Sequence, residues 1–183
     1  MSLLFFLNLF YSLWMNQLRQ TLELANRLLS SNKIQFALIG GFALGAHGIH
    51  RATKDIDLLV DGSKKAKVKE LLLGAGFKVF YESEELLQLD GIGYLDILFA
   101  NRPLSLEMLQ QSKSGLALMG VPVVSKEAII GLKIQAFKND SSRSLQDKAD
   151  IQVLMKSNGI DLVAVKKYAD LFEAWPEIEE LLK

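Results

Sequence analysis

The stretch LIGGFALGAHGIHRATKDIDLLVD, residues 38–61, decides how this chain folds. It begins at the end of a short apolar run, Ile34 to Ile39, which reads as a buried strand entering the tight turn Gly40-Gly41. Phe42 to Gly48 suits a short helix, and Asp55 to Val60 reads as the next strand. Side chains two apart on a strand share a face, so Asp55 and Asp57 project together while Ile56 turns to the core. Thirteen residues separate Gly41 from Asp55, enough for a short helix and a return strand.

A third acid belongs with these two. Asp96 lies within YLDILFA, Tyr94 to Ala100, an otherwise apolar strand. An unpaired charge there costs several kcal/mol, on the order of a buried ion's penalty. A divalent cation shared with Asp55 and Asp57 is an economical partner. Mg²⁺ prefers oxygen ligands and keeps part of its shell for water and phosphate, and Mn²⁺ takes the same kind of ligand. Gly40-Gly41 offers phosphate a closely approaching backbone and N–H donors at a helix start. Taken singly, a Gly-Gly turn or an Asp-x-Asp is commonplace. Their order and spacing together are not.

The rest of the chain frames this pattern. Trp14, Leu18, Leu22, Ala25 and Leu29 recur at helical steps, so Trp14 to Leu29 is an amphipathic helix. Asp61-Gly62-Ser63 is a turn and cap ahead of a helix over Lys64 to Leu73. Phe77 to Tyr81 and Leu86 to Leu89 read as strands, and Asp90-Gly91 as a hairpin-like turn. Pro103 to Gln111 suits a helix and Leu116 to Val124 a last strand. Ser125 and Ser144 then cap helices running to about Lys138 and Met155, and Asp161 begins two more. The order predicts an α+β fold, a mixed central sheet with flanking helices and a C-terminal helical tail. The divisions expected are an apolar extension over residues 1–15, a catalytic core over 16–124 and a helical region over 125–183.

Composition narrows the function. With 183 residues, half of them apolar and 23% charged, the chain can bury a sizeable core. It has no cysteine, which excludes thiolate metal sites, disulfides and cysteine nucleophiles. Lys plus Arg equals Asp plus Glu at 21 each, so no global positive field draws it to nucleic acid. Lys64, Lys65, Lys67 and Lys69 form the one dense basic run and read as a solvated helix face. Leu3 to Trp14, LLFFLNLFYSLW, is too short to span a bilayer and lacks the flanks of a secretory signal, so cytoplasmic residence is expected. Two readings of it stand, a helical extension that docks on the domain or a partner, and a natural start at Met15. The second is slightly preferred.

Residues 38 to 61 resemble the signature of the DNA polymerase beta-like nucleotidyltransferase superfamily: a strand, a Gly-Gly or Gly-Ser turn, a short helix, then Asp-x-Asp, with a third acid on a later strand. Gly40 and Gly41, Asp55 and Asp57, and Asp96 fill those places. Arg51-Ala52-Thr53-Lys54 looks like the approach to Asp-x-Asp in the small bacterial branches. The segments SKEAIIGLKIQAFKND and RSLQDKADIQVL resemble the tail of abortive-infection (toxin-type) nucleotidyltransferases, with Lys133, Arg143, Asp147 and Asp150 matching by position. Gln146 stands where that group commonly has Lys, and Gly41 where many members have Ser.

The resemblance implies attack of an acceptor hydroxyl on the α-phosphorus of a nucleoside triphosphate, with pyrophosphate leaving. Asp55, Asp57 and Asp96 would be catalytic and hold the metal. Gly40, Gly41, Arg51, Thr53 and Arg143 would contact the nucleotide, and Lys133 with Arg143 would neutralise its β- and γ-phosphates. Asp147 and Asp150 fit helix-surface or ion-pair roles at least as well as catalysis. The acceptor is an RNA end such as that of tRNA, a protein hydroxyl or a small molecule. A cognate antitoxin is the partner the group suggests. Two rivals stay open: a catalytically silent nucleotide- or partner-binding module of a toxin–antitoxin system, and an unrelated α/β protein whose acids are structural.

Other constellations are weaker. His47 and His50 lack a third metal ligand, although His50 or Arg51 could touch substrate. Ser30-Ser31 and Ser141-Ser142 have no histidine in a triad context. The Gly-x-x-x-x-Gly-Lys-Ser/Thr loop is absent, and Phe80, Tyr81 and Tyr94 read as ordinary strand residues.

Overall fold

A computed structural model describes the backbone of residues 3–182 and the side chains of residues 12–182. Helix α1 (Leu3–Ser31) runs without a break through Met15. The first two residues of the apolar extension, and its side chains up to Tyr11, lie outside the described residues. From Leu18 onward the helix buries Leu18, Leu22, Ala25 and Leu29, the ridge that the helical spacing predicts.

After α1 come β1 (Phe36–Leu38), α2 (Gly40–Ala46), β2 (Asp55–Asp61), α3 (Lys65–Gly74), β3 (Lys78–Glu82), β4 (Leu86–Asp90), β5 (Tyr94–Ala100) and α4 (Pro103–Gln111). The five strands form one sheet in the order β1-β2-β5-β4-β3. Strands β2 and β5 are parallel and in register, with Asp57 opposite Asp96, while the other pairs are antiparallel. A parallel pair needs a long crossover. Here α3 and the β3–β4 hairpin supply it. This is the mixed α+β architecture the sequence predicts.

Alternation along the strands divides the sheet into two faces. Ile56, Leu87, Leu89, Leu95 and Ile97 are buried on one, where α1 packs on α3, β2 and β5. The acids lie on the other, beside α2.

The C-terminal half departs from expectation in two places. Leu116 to Val124 is not one strand but a small hairpin, β6 (Ala117–Leu118) and β7 (Val121–Pro122). Met119 and Gly120 both take positive φ, 52° and 77°, which folds the segment back on itself. Ser144 is not a cap: it already lies within α6 (Ser144–Met155), and Asp140 receives the Ser142 N–H one turn earlier. Ser125 does cap α5 (Lys126–Asn139), accepting from the Ala128 N–H. Asp161 likewise caps α7 (Leu162–Asp170), accepting from the Val163 and Ala164 N–H groups, and α8 (Trp175–Glu180) follows.

Leu22 sits fully buried on the ridge of α1. Leu22→Ala is expected to cost about 2–5 kcal/mol, read as a lower midpoint in urea unfolding; an unchanged midpoint would show that α1 is dispensable to the core.

Candidate active site

Parallel pairing and strand alternation converge the three acids. Oxygens of Asp55, Asp57 and Asp96, one from each, lie within 4.8 Å of one another. Asp55 and Asp57 come from β2, and Asp96 from the position directly across on β5. Each has a positioning contact. Thr53 Oγ1 donates to Asp55 Oδ1 at 2.9 Å, and Gln88 Nε2 donates to Asp96 Oδ2 at 2.7 Å. The Gly41 N–H lies near the carboxylate of Asp57 and favours its ionised form.

The two glycines are there for space. Gly40 has φ +62°, and a Cβ on it would fall 2.0 Å from Asp57 Oδ2. No L side chain fits that position without moving the acid. A Cβ on Gly41 would fall 2.6 Å from the Thr53 Cβ. The turn therefore accommodates the acids and the residue that orients them. Both glycines open α2, so the helix starts two residues earlier than expected.

The acids repel one another. Asp57, ordinarily near 3.8, is pushed up to about 7, first by burial and then by the charges of Asp55 and Asp96. The Gly41 N–H and the Arg143 guanidinium pull it the other way. Asp96 is also raised, mainly by burial, against the Gln88 hydrogen bond. Three convergent hard oxygen donors with uncompensated negative charge fit a divalent cation such as Mg²⁺.

A second charged cluster lies on the helical side. Lys133 of α5 is buried and bonded to Asp147 and Asp150 of α6, at 2.9 and 2.6 Å. Asp147 also accepts from Arg143 Nε at 3.2 Å, and Asp150 from Gln146 Nε2 at 3.2 Å. Arg51 Nη1 approaches Asp150 Oδ2 at 3.6 Å, which ties the approach to β2 onto α6. Arg143 thus touches this cluster while its charge reaches Asp57 and Asp96. Lys133, expected at phosphate, is engaged by two carboxylates.

The constellations set aside in the sequence fall elsewhere. His47 Nε2–H donates to the Val124 carbonyl at 2.8 Å, and the metal-capable acid cluster among the described residues contains no histidine. Lys65, Lys67 and Lys69 bond acceptors on or beside α3, in keeping with a solvated face. The sequence reading missed Gln88. Its signal was present: a hairpin centred near residue 92 sets residue 88 against 96, on the face away from Leu87 and Leu89.

With this geometry in view, the chain has a nucleotidyltransferase fold. It is similar to the antibiotic-resistance factor ANT(2'')-Ia in solution, with TM-score 0.56 and 16% identity over 92% of this chain and 90% of that one. The crystal structure of ANT(2'')-Ia with adenylyl-2''-tobramycin gives 0.54 and 17%, over 88% and 92%. The lincosamide antibiotic adenylyltransferase LnuA, lincomycin-bound, gives 0.50 and 21%, over 77% and 96%. Residues 24–76 match the family described as "Nucleotidyl transferase AbiEii toxin, Type IV TA system". No curated protein sequence matches the chain.

Folding raises the pKa of Asp57, so the native state retains a proton that the unfolded chain releases. Stability from this group is present below about pH 4 and lost as pH rises through about 7. A cation binds the ionised form, so thermal stabilisation by Mg²⁺ should be larger at pH 8 than at pH 5.5. It should flatten in Asp57→Asn. A Mg²⁺ shift that is equal at the two pH values would contradict this account.

Proposed function

We propose that the protein is a Mg²⁺-dependent nucleotidyltransferase that moves a nucleoside monophosphate from a triphosphate to an acceptor hydroxyl. The observation that carries this reading is the convergence of Asp55, Asp57 and Asp96 within 4.8 Å beside the Gly40-Gly41 bend. The ion, Mg²⁺ or Mn²⁺, supplies charge neutralisation at the triphosphate and at the attacking oxygen. Asp55 and Asp57 would hold it together with Asp96, Asp55 being oriented by Thr53 and Asp57 lying near the Gly41 N–H. Asp96, steadied by Gln88, stands where the acceptor hydroxyl arrives. The acceptor oxygen bonds to the α-phosphorus and the α–β bridging bond breaks. Pyrophosphate leaves with the electron pair. The hydroxyl proton passes by way of the Asp96 carboxylate to water.

Charge in the transition state spreads over phosphate oxygens, so positioning and cationic stabilisation dominate. Arg143 is the cation proposed for the β- and γ-phosphates, a reading supported by its electrostatic influence on Asp57. Gly40 and Gly41 bring backbone close to the nucleotide. Arg51 and Lys133 act through the buried cluster with Asp150, which holds the helices over the sheet. The acceptor class is an RNA end, a protein hydroxyl or a small molecule like that joined to adenylate in the ANT(2'')-Ia complex. The family match over residues 24–76 supports a toxin setting with a cognate antitoxin. No helix among the described residues is long and apolar enough to cross a membrane, in keeping with the cytoplasm as the proposed site.

Pyrophosphate release from a nucleoside triphosphate and cell extract should require Mg²⁺. Asp55→Ala with Asp57→Ala should lower it by roughly 10²–10³-fold or more. Activity surviving that double substitution would refute the assignment. Lys133→Met should lose stability first, by about 3–5 kcal/mol, because two buried carboxylates lose their counter-charge. A stable but inactive Lys133→Met protein would instead put Lys133 on the substrate.

A further inference from the structure

The face of the sheet that carries the acids continues past them. Tyr94 precedes Asp96 by two residues on β5 and so shares its face. Gln88 opposes Asp96 on β4 and bonds it, and Tyr81 opposes Gln88 on β3. Tyr81 and Tyr94 are 50% and 49% exposed, whereas the other face of the same region buries Leu87, Leu89, Leu95 and Ile97. Two half-exposed aromatic rings thus flank a glutamine already bonded to a catalytic acid.

An irregularity in pairing places one of those rings. Strand β3 pairs Lys78 with Asp90 and Val79 with Leu89, then skips a residue and pairs Tyr81 with Gln88 and Glu82 with Leu87. Uninterrupted pairing would set Tyr81 against Leu87, on the helix-covered face. The bulge turns Tyr81 to the acid face and Glu82 towards α3, where Glu82 bonds Lys69 and approaches Lys65. An aromatic side chain gains no burial by this turn. Its ring is half exposed on the face of the acids, at the position across from Gln88.

We propose that Tyr94, Gln88 and Tyr81 form an acceptor shelf, which binds a hydroxyl-bearing sugar ring and delivers its hydroxyl to Asp96. The inference rests on the nucleotidyltransferase reading, which places Asp96 at the attacking oxygen. Strands are about 4.8 Å apart, so β3 lies about 10 Å from β5, and residues two apart on a strand are separated by about 7 Å. The two tyrosine backbones are thus about 12 Å apart on the diagonal, the scale of a nucleoside or a small glycoside. A sugar or nucleoside stacks on an aromatic face without a net charge. The shelf is close to neutral, since Lys78 and Asp90 oppose each other at its far edge. That favours a single ring over the polyanionic backbone of a duplex. The terminal nucleoside of single-stranded RNA and a small glycoside present the same chemistry.

The test binds a non-transferable nucleoside triphosphate analogue with Mg²⁺, trying each of the four bases. The loaded protein is then titrated with a single-stranded oligoribonucleotide bearing a free 3′-hydroxyl and, separately, with tobramycin. At least one probe should bind wild-type protein and lose about tenfold or more affinity in Tyr81→Ala/Tyr94→Ala. Analogue affinity should stay within about twofold, and Tyr81→Phe/Tyr94→Phe should restore probe binding. The probe that responds identifies the source of the ring. If the double variant fails to fold, each single alanine variant carries the same expectation at a smaller loss. Binding of neither probe, or equal binding to wild-type and variant proteins, overturns the shelf while the nucleotide still binds. An analogue that fails to bind wild-type protein overturns the nucleotidyltransferase reading, and the shelf falls with it.

Discussion

The in-register parallel pairing of β2 with β5 is the constraint from which the rest follows. It sets Asp57 directly across from Asp96 and brings Asp55 alongside, an arrangement that disfavours itself electrostatically. Opposed like charges on neighbouring strands are destabilising, and burial adds to the cost at Asp57 and Asp96. The surroundings supply partial relief: a hydroxyl at Asp55, a backbone amide at Asp57, an amide side chain at Asp96 and a guanidinium within range. None of these neutralises three carboxylates. The site keeps a deficit of positive charge on the face of the sheet, which a divalent cation would offset.

The helical half answers the same problem with its own chemistry. Lys133 lies in an apolar helix and meets Asp147 and Asp150 from the next one, both buried. Buried ion pairs contribute little net stability but cost much when broken, so they fix relative position better than they add cohesion. Arg51 joins the cluster from the approach to β2, and Arg143 leaves it towards the acids. The two polar centres are therefore linked mechanically by Arg51 and electrostatically by Arg143.

Much of this was legible beforehand, for identifiable reasons. Period-two alternation in β2 and β5 and the i, i+3, i+4 pattern in α1 come from burial, which dominates local choice, and YLDILFA was readable to its ends. The convergence of the acids followed from the order of motifs. The β6–β7 hairpin was not legible, because Met119-Gly120 carries a turn in positive φ inside a run that otherwise resembles one strand. The engagement of Lys133 was hidden as well. Its partners lie 14 and 17 residues away, on a helix whose packing face no pattern in α5 could specify. The face that Tyr81 takes depends on a bulge, and a one-residue slip leaves no mark in the sequence.

The close fit of Gly41 against Thr53 bears on how this lineage can drift. A side chain at 41 and a β-branched one at 53 compete for the same volume, with 2.6 Å between the would-be Cβ and the Thr53 Cβ. Neither position is free to change first, because Thr53 also aims Asp55. Relatives that carry serine in place of this glycine should differ at the threonine or in the path of the loop before β2. The two sites are sterically coupled, so a change at one is expected to demand an accommodating change at the other.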